Sequence, residues 1–406
     1  MRAYIVQRDK TIEPFDEPAR DCLVRNEPLS ELQKRTLLEL RLEPRWISSP
    51  DEIQDTEPYI LIHDNLYFTR ELLNEFIEKS KTVGESTVCA LKPGLLTLRS
   101  IVATQELNIS EDFIEYNLYY VCKRQKHQAY QRVVIDPQYS TISVVLPKQV
   151  FGVSEYLVPL TEYFIIQIDH WVNLWAANIS TLLSDGAKLH KSKVRLLCAI
   201  LKARSLNKYN IMAQLNKVGK KCDIHPTARI EASTIGHHVQ IGAGAVVLNS
   251  VIDDSVFIEK NVVIDSSIIG TGSRVSQAEI AYSVLYPGSS VACFLLTCLI
   301  GKNALTAVGA DFTDFRFDGS HVFVMKNDVL VNTQNEILGV CLGHGVFIGS
   351  GCLVAPGRMI PGGVRIVVEE NRTIRGCTPD KNIPGFRLIR KDGSVPAKNN
   401  REIHLI

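Results

Sequence analysis

Aliphatic residues recur through the second half of the chain at nearly fixed intervals. Ile224, Ile230, Ile235, Ile241, Val247, Ile252, Ile258, Ile264, Ile269 and Val275 are spaced 6, 5, 6, 6, 5, 6, 6, 5 and 6 positions apart. The pattern closes every 17 residues and gives three rows: Ile224/Ile241/Ile258/Val275, Ile230/Val247/Ile264 and Ile235/Ile252/Ile269. Two positions before each aliphatic from Ile230 onward stands a small or β-branched residue: Ala228, Ser233, Val239, Ala245, Ser250, Val256, Val262, Ser267 or Ser273. A narrow three-sided prism of short strands needs a large aliphatic at each level and a small residue at each corner. The spacing therefore predicts a parallel β-helix of hexapeptide repeats.

The register loosens over 280–313 and recovers as Leu342, Ile348, Val354, Ile360 and Ile366, each six positions after the last. Between the two blocks lies a polar segment, about 315–337, holding Asp318-Gly319 and Asn327-Asp328. It predicts a hairpin or loop extruded from the coil. The β-helix is expected over 221–370. The proline- and charge-rich tail, 371–406, is expected to cover its last coil.

The first half has a different rhythm. Residues 3–7 (AYIVQ) and 59–63 (YILIH) predict buried strands, and 29–42 and 70–81 predict amphipathic helices, the second opened by Thr69 as N-cap. Further strands are expected at 88–91, 116–122, 132–135 and 141–146. Alternating strand and helix predicts an α/β layer with a parallel sheet at its centre, over 1–160. A helix over 161–184, with Trp171 and Trp175 four apart, is expected to dock the two halves, and 196–218 reads as a basic helical connector. Together they make a helical linker over 161–220.

Glycine usage separates the halves as sharply as the periodicity does. None occurs before Gly84, and 21 of the 25 lie from Gly219 onward. The charge balance, 45 Lys+Arg against 44 Asp+Glu in 406 residues, argues against a polyanion binder, and no nucleic-acid partner is expected. The opening MRAYIVQRDKTIEPF has no uninterrupted apolar stretch of signal-peptide length, and the uncharged run 280–301 is broken by Pro287 and Gly288. The chain is thus expected to be cytoplasmic, with no membrane span. Ten scattered cysteines without a Cys-x-x-Cys pair predict reduced thiols rather than a disulfide framework or a zinc site.

The order of an α/β half, a helical linker and a hexapeptide β-helix resembles the bifunctional sugar-1-phosphate nucleotidyltransferase and acetyltransferase enzymes that make UDP-N-acetylglucosamine, and more closely their divergent relatives. Four stretches carry the likeness: IHDNLYFT (62–69), HWVNLWAANISTLL (170–183), VGADFTDFRFDG (308–319) and LGVCLGHGVFIGSGCLVAPGRMIPGG (338–363). The resemblance implies a nucleotidyltransferase-like α/β domain, a left-handed β-helix, a homotrimer, and small-molecule partners that are sugar phosphates or nucleotide-sugars. It also implies Mg²⁺ held by Asp64, substrate contacts from Asn65, Arg20, Arg25 and Asn178, and acetyl-CoA or another acyl-CoA at the β-helix. An Asp at a strand end followed by Asn65 is equally a turn feature.

The departures bear on chemistry. Such enzymes hold a triphosphate on a glycine-rich turn after the first strand, where backbone N–H groups approach phosphate closely. Here the turn reads QRDKTIEPFDEP and has no glycine, and where a Lys follows a Pro in the family, PARDCLVRNEPL offers Arg20 and Arg25. The acetyl-transfer half uses a His as general base shortly before the stretch resembling 308–319. No histidine occurs between Val239 and Ser320. His344, between Gly343 and Gly345 at a coil corner, and His321, after the Asp318-Gly319 turn, are the replacements available to a relocated site. Cys293 and Cys298 flank the lost position with no neighbouring cation and read as small buried hydrophobes. Two functions follow: a sugar-nucleotide or acyl transferase of envelope-sugar metabolism with rebuilt sites, or a catalytically inactive sugar-nucleotide-binding or scaffold protein of the same fold.

Overall fold

The computed structural model describes residues 1–123 and 129–368; the expected 371–406 tail lies outside them. Strand β1 (Arg2–Val6) is buried over Ala3 to Val6 because it lies inside a sheet covered on both faces. It pairs in parallel with β2 (Glu43–Ile47) on one side and β3 (Tyr59–His63) on the other. Two helices pack here. α1 (Leu29–Glu39) buries Leu29, Gln33, Thr36 and Leu37, and α2 (Arg70–Val83) buries Leu72, Leu73, Phe76, Ile77 and Ser80, each set on one face of a 3.6-residue period. Beyond β3 come β5 (Ile114–Val121), β4 (Thr87–Leu91) and β6 (Gln131–Ile135), giving the order β6-β4-β5-β3-β1-β2 with Asn108–Ile109 added at β5. β5 runs antiparallel to both neighbours, so the sheet is mixed rather than purely parallel. The expected N-cap, Thr69, does stand at the start of α2, but its hydroxyl accepts from Phe164 N–H at 3.1 Å instead of capping the helix.

A separate antiparallel hairpin, β7 (Ser140–Val145) with β8 (Glu155–Leu160), leads to the docking helix. That helix, α3 (Trp171–Lys191), starts ten residues later than the sequence pattern suggested. The reason is local: the β-branched pair Ile165 and Ile166 extends as a strand, Ile165–Gln167, antiparallel to Leu66–Phe68. Two shorter helices follow, α4 (Lys193–Ala203) and α5 (Lys208–Ala213), and Lys217–Val218 is already the first β-helix strand.

From there to Arg365–Ile366 the chain winds as the parallel β-helix that the hexapeptide pattern predicts, left-handed as the resemblance implies, in three sheets of short parallel strands. Val246 pairs with Val263, 17 positions on, as the period requires. The drift over 280–313 has a simple origin: the coils shorten. Val263 pairs with Glu279, 16 on, and Glu279 with Phe294, 15 on, so corners lose residues while the aliphatics still point inward. After the insertion the coils lengthen to 18, with Cys341 opposite Met359. A ladder of hydroxyls runs up one corner. Ser233, Ser250, Ser267 and Ser283 each accept the backbone N–H of the next coil at 3.0–3.1 Å, the last from Cys298. Small hydroxylic residues are demanded there because each satisfies a buried donor without occupying core volume.

The insertion is a hairpin, β9 (Phe323–Lys326) and β10 (Val329–Asn332), turned by Asn327 and Asp328 at φ 48° and 59°. It does not point into solvent. Val322 and Val324 join the first domain's core, and so do Ile268, Val284, Leu299 and Cys341 from one outer face of the prism. Alternate residues of the same strands, Ile269, Leu285, Ile300 and Leu342, fill the prism interior. One β-helix face is therefore internal to the molecule, held by α3, whose Trp175 Nε1 donates to Tyr282 O at 2.8 Å.

Candidate functional site

Asp64 follows β3 and Gln7 follows β1, so both stand at the carboxyl ends of neighbouring parallel strands, where open α/β sheets place their ligands. Asp64 N–H donates to Val6 O at 3.0 Å, which fixes the two ends together. The Asp64 carboxylate is 2% exposed, and its Oδ2 accepts from Arg20 Nη1 at 2.8 Å and from Arg8 N–H at 3.0 Å. Arg20 Nη1 also donates to Arg8 O at 2.9 Å. Where the family would have a glycine turn approached by phosphate, a guanidinium and a backbone amide already hold the carboxylate.

The neighbouring residues extend this into one polar network. Asn65 Nδ2 donates to Asp169 Oδ1 at 2.9 Å, while Gln167 Nε2 and Glu106 N–H donate to Asp169 Oδ2, each at 2.7 Å. Arg8 reaches across to both Asp169, at 3.5 Å, and Glu106, at 3.7 Å. Glu106 is paired with Lys10 and, at 3.2 Å, with Lys326, which descends from the β-helix hairpin and also donates to Thr104 O at 2.7 Å. Burial would raise the Glu106 carboxyl, but Lys10 and Lys326 together hold it below its ordinary range. Four cations thus meet three carboxylates. His63, at the end of β3, is pushed down to about 4 by burial, with Arg8 adding to the effect, so it is neutral here. The free space among Arg8, Lys10, Ile12, Asp64, Asn65 and Asp169 is only about 10 Å³.

This arrangement does not fit a Mg²⁺ at Asp64. Asp64 Oδ2 already accepts from two N–H donors and sits against the Arg20 guanidinium, whose charge opposes a second cation, Asp169 is saturated by its own donors, and among the described residues no group of three or more His, Cys, Asp or Glu side chains is placed to hold a metal.

The other expected substrate residues lie apart from Asp64. Asn178 Oδ1 accepts Arg25 N–H at 2.7 Å and its Nδ2 donates to Leu23 O at 2.9 Å, so buried Asn178 fastens the 7–28 loop to α3. The Arg25 guanidinium turns to Asp185, 2.6 Å away. Arg20, Asp64 and Asn65 are brought together; Arg25 and Asn178 form a separate clamp.

The same loop then meets the β-helix. Phe15 packs on His344, ring centroids 4.9 Å apart, and Leu23 shares two hydrogen bonds with the Tyr286 hydroxyl. His344 Nδ1 accepts Lys302 N–H at 2.9 Å, leaving the ring proton on Nε2, which lies 3.3 Å from Glu17 Oε1 without hydrogen-bond geometry. Glu17 also receives Lys302 Nζ at 2.6 Å. Burial pushes the His344 imidazole below its ordinary value and Lys302 adds to this, against Glu17. His321 has other partners. It is exposed, with Nδ1 3.4 Å from Asn332 Nδ2 and Nε2 3.9 Å from Glu336. Cys293 and Cys298 are buried as expected, their thiols pushed up to about 11 and about 12 by burial.

A larger cavity, about 400 Å³, opens between β7–β8, α3 and the β-helix, but its lining is apolar apart from Arg99, Asp314 and a few hydroxyls, so it offers no phosphate site. Sequence reasoning missed Arg8, Lys10, Glu106, Asp169 and Lys326. The run QRDK directly after the first strand signalled the first two. Lys326 had no linear signal, because the insertion's return to the first domain is a tertiary event.

No protein-family model matches the chain. Among curated proteins it is similar to the bifunctional protein GlmU of two strains of Acidithiobacillus ferrooxidans, each 26% identical over 199 residues, which covers 43% of this chain and 41% of the relative. The match therefore spans less than half of those relatives' length. Among solved structures, a mutant GDP-perosamine N-acetyl transferase from Caulobacter crescentus, in complex with CoA and GDP-perosamine, is 16% identical with a TM-score of 0.15. It covers 37% of this chain and 53% of that one. The acetyltransferase domain of PglB from Neisseria gonorrhoeae, in complex with acetyl coenzyme A, is 15% identical with a TM-score of 0.19, covering 38% and 60%.

Proposed function

We propose that this protein binds a sugar phosphate or nucleotide-linked sugar at the crevice between the ends of β1 and β3, through side-chain cations and without Mg²⁺, and that this crevice performs no nucleotidyl transfer. One observation carries the reading: Arg8, Lys10, Arg20 and Lys326 converge on Asp64, Asp169 and Glu106 with an excess of positive charge. Arginine and lysine replace by charge and fork geometry what a glycine turn supplies by backbone amides. The GlmU similarity supports the substrate class. A ligand enters by displacing the Lys10–Glu106 pair, the most exposed part of the network, and takes over Lys10 and, behind it, Lys326. The test is calorimetric titration with UTP, UDP-N-acetylglucosamine and glucosamine 1-phosphate, with and without Mg²⁺, alongside a pyrophosphate-release assay. Mg²⁺-dependent binding with release of pyrophosphate would refute the reading.

A second reading, acyl transfer from acetyl-CoA or another acyl-CoA in a homotrimer, is favoured by the His344–Glu17 pair, an imidazole facing a carboxylate. As placed, Nδ1 is taken by Lys302 N–H while Nε2 carries the ring proton, so the ring accepts a substrate proton only after Nδ1 leaves Lys302 N–H. Acyl-CoA consumption that is abolished in His344→Gln and unchanged in His321→Gln would establish this reading.

A further inference from the structure

The linker that joins the two domains has a charge pattern unlike the rest of the chain. From Gly186 to Cys222 there is no Asp or Glu, against ten cations: Lys188, Lys191, Lys193, Arg195, Lys202, Arg204, Lys208, Lys217, Lys220 and Lys221. A chain with a formal net charge of +1 thus concentrates its positive charge on one segment.

Within that segment α4 is apolar on two sides. Ala199 is buried, and α4 packs on α3 and α5. On the opposite side Val194, Leu197 and Leu201 are 72%, 57% and 67% exposed, with Cys198 exposed among them. These positions stand at i, i+3, i+4 and i+7, one continuous stripe of an α-helix. Leu206, 88% exposed, follows just beyond the helix end. At 100° per residue Lys193 falls on one flank of the stripe and Arg195 and Lys202 on the other. An apolar stripe in water is costly and calls for a cover.

We propose that α4 and the basic segment around it form a docking surface for an anionic lipid bilayer, with Val194, Leu197, Leu201 and Leu206 entering the acyl boundary and the flanking cations meeting phosphate headgroups. A helix with an apolar face edged by Lys and Arg lies in the plane of such an interface. The charge chooses this occupant over a second copy: two such arms face to face would bring like charges together with no acid on either to pair them. The exposed aliphatics choose it over a nucleic acid, whose phosphates would leave the stripe uncovered. The docking is peripheral, and among the described residues no helix is long and apolar enough to cross a membrane.

The test is co-sedimentation of the full chain with phosphatidylglycerol-containing vesicles and with pure phosphatidylcholine vesicles, at about 0.05 M and about 0.5 M NaCl. The triple variant Val194→Ser/Leu197→Ser/Leu201→Ser removes the stripe, and Lys193→Gln/Lys202→Gln/Arg204→Gln removes flanking charge. All six side chains are exposed, so each variant should retain the parent's melting temperature. Expected are binding to the anionic vesicles alone, release at high salt, and a loss of about tenfold or more in either triple variant. No sedimentation with phosphatidylglycerol, or equal binding to phosphatidylcholine, overturns the proposal. So does a loss confined to the charge variant, which would mean simple polyanion attraction. A light-scattering mass that falls in the serine variant would assign the stripe to self-association and overturn it as well.

Discussion

Arg20 does at Asp64 what a metal ion does elsewhere: it neutralises a carboxylate that the fold has buried. Removing it should therefore cost more than an exposed ion pair would. Arg20→Ala leaves Asp64 with the Arg8 N–H as its remaining donor, and the expected loss of folding stability is about 2–4 kcal/mol by chemical denaturation. Asp64→Asn in the same chain should restore part of that loss, because the uncompensated charge is then gone. If Arg20→Ala is neutral, the pair does not hold the crevice as described. His170 gives a second residue-scale prediction. Its Nδ1 faces Val172 N–H at 3.4 Å and its Nε2 lies 3.0 Å from Met325 O, so a neutral ring joins the first domain to the β9 strand. Burial pushes it down to about 4, and His63 is lowered likewise. In the unfolded chain both rings take up protons below about 6.5, so the unfolded state binds more protons between about 6.5 and 4. Stability should fall as pH falls through that window, by on the order of 3 kcal/mol for His170 alone, and His170→Gln should flatten the slope. A melting curve whose pH dependence is the same in that variant would contradict the assignment.

At the scale of elements, the 17-residue period was legible because the prism admits one side-chain size at each level. Where the coils shorten to 16 and 15 residues, the aliphatics stayed but the count changed, so the period could not be followed by spacing alone. The start of α3 was misplaced for the same kind of reason: a strand pairing with Leu66–Phe68 overrode a helical pattern that reads well in isolation. Coil stacking also makes a testable demand on Gly343. A Cβ there would lie 2.6 Å from Gly362 N and 2.8 Å from Pro14 O, backbone atoms that have no easy way to move. Gly343→Ala should lower stability by about 1–3 kcal/mol and weaken the contact between Phe15 and His344. An unchanged melting temperature would mean that the loop and the last coils are not packed this closely.

For the molecule as a whole, two architectures were readable from glycine usage and periodicity, and the candidate residues Arg20, Asp64 and Asn65 were found by motif. The helix side of the interface between the halves was readable from Trp171 and Trp175, but the β-helix side was not, because strand residues that face out of a β-helix look the same whether water or another domain covers them. Ile268, Val284, Leu299 and Cys341 belong to the first domain's core, and each fully buried aliphatic contributes about 1.5–3 kcal/mol. The two domains should therefore unfold in one calorimetric transition. Two resolved transitions would show that this face is not shared.

The central claim is that the crevice at Asp64 is an anion site made of side-chain cations. The most direct measurement is isothermal titration of UDP-N-acetylglucosamine and glucosamine 1-phosphate into the protein and into Lys10→Ala and Lys326→Ala, with Mg²⁺ and with EDTA. The account predicts binding that is indifferent to Mg²⁺ and weakened about tenfold or more in each variant, since each removes a charge-assisted contact. Binding that requires Mg²⁺, or affinities equal in all three proteins, would contradict it.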